Sequence, residues 1–333
     1  MARIHVTYTG GTIGMVEGPC GLEPGTDLAV RLRHLARAEG NDDGLTVSAL
    51  HPLIDSASAT PASWQTIIDD IHRFAARADA FVVLHGTDTM AYTAAALSFA
   101  LTVLPQPVIL TGSQLPLGAA DSDAPRNLAD ALAVARTVSR PGVYVVFGGR
   151  LLCGNRVSKV SSWAREAFDS PSVPPIGKVD GSREADSPMP RGGGWPDPEP
   201  FTCPDIAVLD LVPGIAGERM RSVLTPLPDG VVLRAYGMGN VPAGEPELDR
   251  LLTACREEGV PVVVTSQCLQ ASVALGRYRA GAGLARAGAV GAGDMTFEAA
   301  YAKLVFLLSQ GLDAAGVAAW MPRSIAGEVT ETH

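Results

Sequence analysis

Up to about residue 180, short β-branched runs alternate with alanine- and leucine-rich stretches, a spacing that predicts repeated strand-helix-strand units and a parallel sheet. Strands are expected at 4–9, 81–85, 108–111 and 143–147, where Val, Ile, Leu and aromatic residues run between Gly, Thr and Pro. Helices are expected at 62–77, 90–101 and 125–138. Thr60-Pro61 opens the first, since Thr can cap and the fixed φ of Pro suits a first helical turn. Ser122-Asp123 supplies the capping residues of the third.

Polarity changes abruptly between Ser182 and Pro204, where Pro, Gly, Asp and Glu dominate and Arg191-Gly192-Gly193-Gly194-Trp195-Pro196 reads as surface linker. Beyond it the alternation resumes, with strands expected at 206–211, 231–235 and 260–265 and helices at 216–224 and 245–258. The tail, 297–320, has helical Leu/Ala/Val spacing. The expected fold is therefore α/β, with a larger N-terminal catalytic domain (1–182) of mostly parallel sheet flanked by helices. A linker (183–204) and a smaller C-terminal α/β domain (205–333) follow. The longest apolar stretch, 91–110, contains Thr93, Ser98, Thr102, Gln106 and two prolines, so it reads as helix, loop and strand and not as a membrane span.

With 333 residues and 47% hydrophobic content the chain can bury a full core. Its net charge of −9 argues against nucleic acid and anionic membrane surfaces, which need a clustered positive field; small molecules and copies of itself are the expected partners. Cys20, Cys153, Cys203, Cys255 and Cys268 lie far apart without C-x-x-C spacing, which fits a reducing compartment. The chain enters its first strand near Arg3 without the pattern of a secretory leader, so a cytoplasmic location is expected. No histidine pair has metal spacing, and neither a G-x-G-x-x-G fingerprint nor a phosphate-cradling Gly-Lys-Ser/Thr loop occurs; no metal and no cofactor are expected.

Two strand ends carry the candidate chemistry. Thr9-Gly10-Gly11-Thr12-Ile13-Gly14 follows the first strand, and His85-Gly86-Thr87-Asp88-Thr89-Met90 follows the second. In a parallel sheet such ends face one crevice. Taken singly, each residue has an ordinary reading: Thr12 as a turn threonine, Thr87 as a helix N-cap with Asp88 favouring the helix dipole, and His85 as a buried strand-end histidine. Taken together they supply what metal-free hydrolysis requires, namely a hydroxyl nucleophile, an orienting carboxylate and close-approach backbone donors. The cation is Lys159, one of only three lysines, which could act as base or proton relay if it lies near Asp88; its ordinary reading is a solvated hairpin residue.

These motifs resemble the bacterial-type L-asparaginases, and most closely their cytosolic type I branch. The matching segments are the two threonine loops, Pro52-Leu53-Ile54-Asp55-Ser56, Thr111-Gly112-Ser113-Gln114, Gly154-Asn155-Arg156-Val157-Ser158-Lys159, the 233–240 segment ending in Met238-Gly239-Asn240, and Gln267-Cys268. The resemblance implies hydrolysis of L-asparagine to L-aspartate and ammonia through an acyl-enzyme. Thr12 matches the nucleophile, and Thr87, Asp88 and Lys159 match the set that relays protons to the deacylating water. Asp55 and Ser56 match contacts to the substrate's α-amino and α-carboxyl groups, and Ser113 a carbonyl that meets the leaving amide. The resemblance also implies a homodimer or homotetramer in which Asn240 of the partner subunit helps complete the site, and an allosteric site at Arg234, Ser266 and Cys268. One position departs from the pattern: Leu22 stands where the family carries a loop tyrosine, so either another hydroxyl such as that of Tyr236 or Tyr278 substitutes for it or turnover is poor. That departure also motivates an alternative reading, a catalytically weak asparagine or aspartate sensor.

Overall fold

The computed structural model describes residues 2–18, 21–25, 28, 30–32, 44–179, 191–242, 244–275 and 282–331. Cys20, His34, Tyr278 and His333 lie outside them. The chain divides into two compact units, Met1–Met189 and Pro190–His333.

In the first unit, β1 (Ile4–Tyr8), a hairpin of β2 (Met15–Gly18) and β3 (Gly21–Pro24), and β4 (Leu45–Ala49) precede helix α1 (Pro61–Phe74). Then come β5 (Ala80–Leu84), α2 (Met90–Ala100), β6 (Pro107–Thr111), α3 (Ala124–Thr137), β7 (Gly142–Phe147) and β8 (Arg150–Cys153). Three two-residue strands, β9 (Ser158–Lys159), β10 (Phe168–Asp169) and β11 (Gly177–Lys178), complete the unit. The main sheet has seven strands in the order β11-β8-β7-β6-β5-β1-β4. Strands β4, β1, β5, β6 and β7 are parallel, while β8 and β11 add antiparallel edges.

Every residue of β1, β5 and β6 is buried, as expected of central parallel strands covered on both faces. On one face Ile4, Val6, Tyr8, Val82, Leu84 and Ile109 pack with Leu128, Ala131, Leu132 and Ala135 of α3. On α2 all but one residue are buried, which is why its sequence has no polar stripe.

The second unit is built from β12 (Ile206–Asp210), α4 (Gly217–Val223), β13 (Gly230–Ala235), α5 (Pro246–Glu257), β14 (Val262–Ser266), α6 (Ala282–Arg286) and β15 (Val290–Gly291). Its four strands form a parallel sheet in sequence order. The tail expected as one helix is two, α7 (Phe297–Ser309) and α8 (Ala314–Trp320). Gly311 adopts φ 74° between them, and Asp313 then caps α8 by accepting a hydrogen bond from the Gly316 N–H at 2.8 Å.

Residues 191–204 are tied into this second unit. Gly193 and Gly194 donate backbone hydrogen bonds to Ser324 and Ile325, and the Trp195 ring packs against Phe306 and Trp320. The C-terminal segment is held by a fully buried ion pair between Lys303 of α7 and Glu328. Lys303 also donates to the Met321 carbonyl at 2.9 Å, and Glu328 accepts from the backbone N–H groups of Ile325 and Ala326, so each buried charge is hydrogen-bonded as well as paired.

Candidate functional site

The carboxyl ends of β1 and β5 are drawn together by glycine. Gly10 and Gly11 have φ of 133° and 85°, conformations L side chains rarely adopt. A Cβ on Gly11 would also collide with the Gly86 backbone, and one on Gly10 with the Ile54 carbonyl. Three loops thus meet backbone to backbone. The Thr9 N–H and hydroxyl both donate to the Leu84 carbonyl at 3.0 Å, and the Ile54 N–H donates to the Thr9 carbonyl at 2.6 Å. Thr12 opens a single 3-10 turn, Thr12–Gly14, whose Ile13 is fully buried while Thr12 is half-buried. Thr12 thus stands in a turn, as its ordinary reading has it, and among the described residues its hydroxyl has no hydrogen-bond partner.

On the second loop, Lys159 Nζ lies 2.8 Å from Thr87 Oγ1 and 2.8 Å from Asp88 Oδ1. The lysine is brought there by the β9–β10 ladder, in which it pairs with the fully buried Phe168. Its side chain is 18% exposed and that of Asp88 62%, so the pair meets solvent mainly on the carboxylate side. The N-cap reading of Thr87 fails: α2 begins at Met90, and its N-cap residue is Thr89, whose hydroxyl donates to the Ser56 carbonyl at 2.8 Å.

His85 is buried beneath this loop. Its Nδ1 lies 2.7 Å from the Gly86 carbonyl, which can only accept, so the ring proton sits on Nδ1 and Nε2 accepts from Thr93 Oγ1 at 3.0 Å. Burial lowers its pKa against the smaller opposing effect of the Gly86 bond, which keeps the ring neutral.

The remaining expected residues of the first unit cluster around these loops. Asp55 is exposed and caps the 3-10 turn Ser56–Ser58 through the Ala57 N–H. Ser56 is buried, and a Cβ on Gly86 would run into its hydroxyl. Ser113 is buried at the end of β6, with its hydroxyl donating to the Leu115 carbonyl at 2.6 Å. A Cβ on Gly112 would strike the His85 carbonyl, and the Leu117 N–H donates to the Ile13 carbonyl at 3.2 Å, so the loop after β6 touches both threonine loops.

Leu22 lies on β3 opposite Glu17 and is half exposed. A hydroxyl that sequence reasoning passed over is that of Tyr8. It is buried without a partner among the described residues, and a Cβ on Gly14 would overlap it, so it abuts the Thr12–Gly14 turn. Burial raises its pKa. Nothing in the sequence marks it, because an aromatic residue in an apolar strand reads as core.

Asn240, Arg234, Ser266 and Cys268 belong to the second unit. Asn240 closes a tight turn with Tyr236 through two backbone hydrogen bonds, and the Tyr236 hydroxyl is buried without a partner among the described residues. Arg234 pairs with Asp210 at 2.7 Å and stacks over Phe297. Ser266 accepts from the Cys268 N–H, and Cys268 is exposed. Among the described residues no group of three or more His, Cys, Asp or Glu side chains is arranged to hold a metal, and no helix is long and apolar enough to cross a membrane.

Comparison with known proteins returns one family along the chain. Residues 3–189 match the model described as asparaginase, N-terminal, and residues 205–321 match that of the glutaminase/asparaginase C-terminal domain. L-asparaginase 1 of Escherichia coli (strain K12) is 40% identical, with 98% of each chain covered. Among solved structures, the thermostable L-asparaginase of Thermococcus kodakarensis superposes with a TM-score of 0.86 at 36% identity, and L-asparaginase I of Vibrio cholerae with 0.85 at 39%. Each comparison covers 99% of both chains.

Proposed function

Because this chain belongs to the asparaginase family and is an amidohydrolase, we propose that it hydrolyses L-asparagine to L-aspartate and ammonia with Thr12 as nucleophile. The observation that carries this reading is the bridge of Lys159 to both Thr87 and Asp88, on the loop whose Gly86 abuts Gly11 next to Thr12. Thr12 Oγ attacks the side-chain carbonyl carbon. A C–O bond forms, the C–N bond breaks, and the Thr12 proton passes to the departing nitrogen, which leaves as ammonia. The product is an aspartyl ester of Thr12.

Water then attacks the ester. Thr87, held by Lys159, orients that water, and the Lys159–Asp88 pair passes its proton on, so that the Thr12 hydroxyl is restored and aspartate released. The backbone N–H groups of Thr12 and Thr87 make no hydrogen bond among the described residues and are the donors available to the oxyanion of each step. Asp55 offers its exposed carboxylate to the substrate's α-ammonium and Ser56 its hydroxyl to the α-carboxylate. We assign Asn240 of the partner subunit to completing the site in a cytoplasmic homo-oligomer, and Arg234, Ser266 and Cys268 to effector contacts. Leu22 takes no part in proton transfer, and the buried Tyr8 hydroxyl beside the Thr12 turn is the candidate in its place.

The sensor reading rested on Leu22 and gains no support from the comparisons. Ammonia release from L-asparagine, L-glutamine and D-asparagine tests the proposal. Turnover of L-asparagine that disappears in Thr12→Ala is expected; binding without release, or undiminished release by the variant, would overturn it.

A further inference from the structure

The loop after β6 is held by a residue that helix chemistry would have used elsewhere. Asp123 precedes α3, where a carboxylate ordinarily accepts from its own helix's first N–H groups, yet it makes no such bond. Ser122 Oγ accepts from the Ala124 N–H instead, at 3.1 Å. The Asp123 carboxylate, on a residue only 5% exposed, turns back to the loop. It accepts the Gln114 N–H at 2.9 and 3.1 Å and the Leu115 N–H at 3.0 Å.

Asn127, one helical turn on and 1% exposed, completes the clamp. Its Nδ2 donates to the Gly112 carbonyl at 3.0 Å and to Asp123 Oδ2 at 3.1 Å, while its Oδ1 accepts the Gly148 N–H at 3.1 Å. The polar groups on either side of Ser113 are therefore fixed: the carbonyl before it by Asn127, the two N–H groups after it by Asp123. Its own hydroxyl is turned to Leu115. The Ser113 carbonyl is left over, with no donor among the described residues, on a residue 2% exposed whose loop touches both threonine loops. An acceptor so immobilised, beside both threonine loops, is preorganised to meet a donor N–H.

Taking the Ser113 carbonyl in the role the family resemblance gives it, acceptor for the N–H of the scissile amide, we propose that Asp123 and Asn127 are the positioning residues that hold it there. This rests on the amide-hydrolysis reading above and deepens it. The clamp acts when nitrogen is the leaving atom: once attack on the carbonyl carbon has made the nitrogen pyramidal, an N–H held by the Ser113 carbonyl fixes the direction of the nitrogen lone pair so that it can receive the incoming proton. An ester leaving group has no such hydrogen and gains nothing from it.

The test compares kcat/KM for L-asparagine and for the β-methyl ester of L-aspartate in wild type, Asp123→Asn and Asn127→Ala, with melting curves to establish that each variant is folded. Asp123→Glu, which keeps the charge but displaces it, replaces Asp123→Asn if that variant is insoluble. The amide-to-ester ratio should fall about tenfold or more in every folded variant, since a misplaced contact of about 1 Å costs on the order of a hundredfold. Equal losses on both substrates would mean a merely structural role, and an unchanged ratio at full activity would mean no role; either overturns the proposal. A wild type that released neither ammonia nor methanol would instead sink the underlying amide-hydrolysis reading, and the clamp's role with it.

Discussion

At the residue scale the account turns on hydroxyls and their neighbours. Lys159→Met removes the donor shared by Thr87 and Asp88 and so slows removal of the acyl group: kcat should fall by about a thousandfold and KM with it as the acyl-enzyme accumulates, leaving kcat/KM within about threefold, measured by steady-state ammonia release. Leu22→Tyr, on the exposed side of the β2–β3 hairpin, should leave kcat on asparagine unchanged, whereas Tyr8→Phe should lose activity; a gain in Leu22→Tyr beside full activity in Tyr8→Phe would remove Tyr8 from that role. His85 contributes a pH dependence of stability. Its folded pKa lies below the unfolded value near about 6.5, so the unfolded chain binds the extra proton and stability declines as pH falls below that value, levelling only beneath the folded pKa. A His85→Asn variant should show a shallower fall in melting temperature over that acid range. Thr12, Thr87, Asp88 and Lys159 were legible because hydroxyl, acid and cation stand in distinctive glycine-flanked segments. Tyr8 and Asp123 were not, since an aromatic in a strand reads as core and an aspartate before a helix reads as its cap, and only coordinates reveal that neither description is complete.

At the scale of elements, the parallel strands were readable from β-branched runs, but β4 was not. It is a short edge strand of partly exposed residues, Leu45–Ala49, whose pattern lacks a continuous apolar run. What fastens it is a buried polar cluster. Asp70 of α1 accepts from Thr7 at 2.8 Å and Ser48 at 2.7 Å, and lies 3.2 Å from His5 Nε2, so one carboxylate ties β1, β4 and α1 together. Of these, β4 and α1 flank the Asp55–Ser56 loop. Burial pushes the Asp70 pKa up, but the bonds from His5, Ser48 and Thr7 outweigh it and leave the carboxyl below its usual range. With the folded pKa lowered, the stabilisation is complete above the ordinary carboxylate value of about 4 and is lost as pH falls through the folded value. Asp70→Asn should therefore cost about 1–3 kcal/mol at neutral pH in urea unfolding, and the gap from wild type should narrow below about pH 4. A gap independent of pH would show that shape, not charge, matters there.

At the scale of the whole molecule, the acidic balance and the resumption of strand-helix alternation after residue 204 were legible in composition and periodicity. The attachment of 191–204 to the second unit was not, because it depends on Trp195 and Phe201 finding the Phe306 ring, a partner more than a hundred residues away. The Lys303–Glu328 pair is of the same kind: Glu328→Gln leaves a buried ammonium uncompensated and should destabilise the second unit by about 3–5 kcal/mol in denaturant titration, with Lys303→Met/Glu328→Leu recovering much of the loss. The central claim, that two neighbouring strand ends form one centre in which the first threonine carries the acyl group and the second set removes it, is open to direct observation. Lys159→Met mixed with L-asparagine, acid-quenched and mapped by peptide mass spectrometry should carry one aspartyl group on the peptide containing Thr12. An aspartyl group on the Thr87 peptide instead, or an unlabelled enzyme that still turns over asparagine at the wild-type rate, would contradict the account.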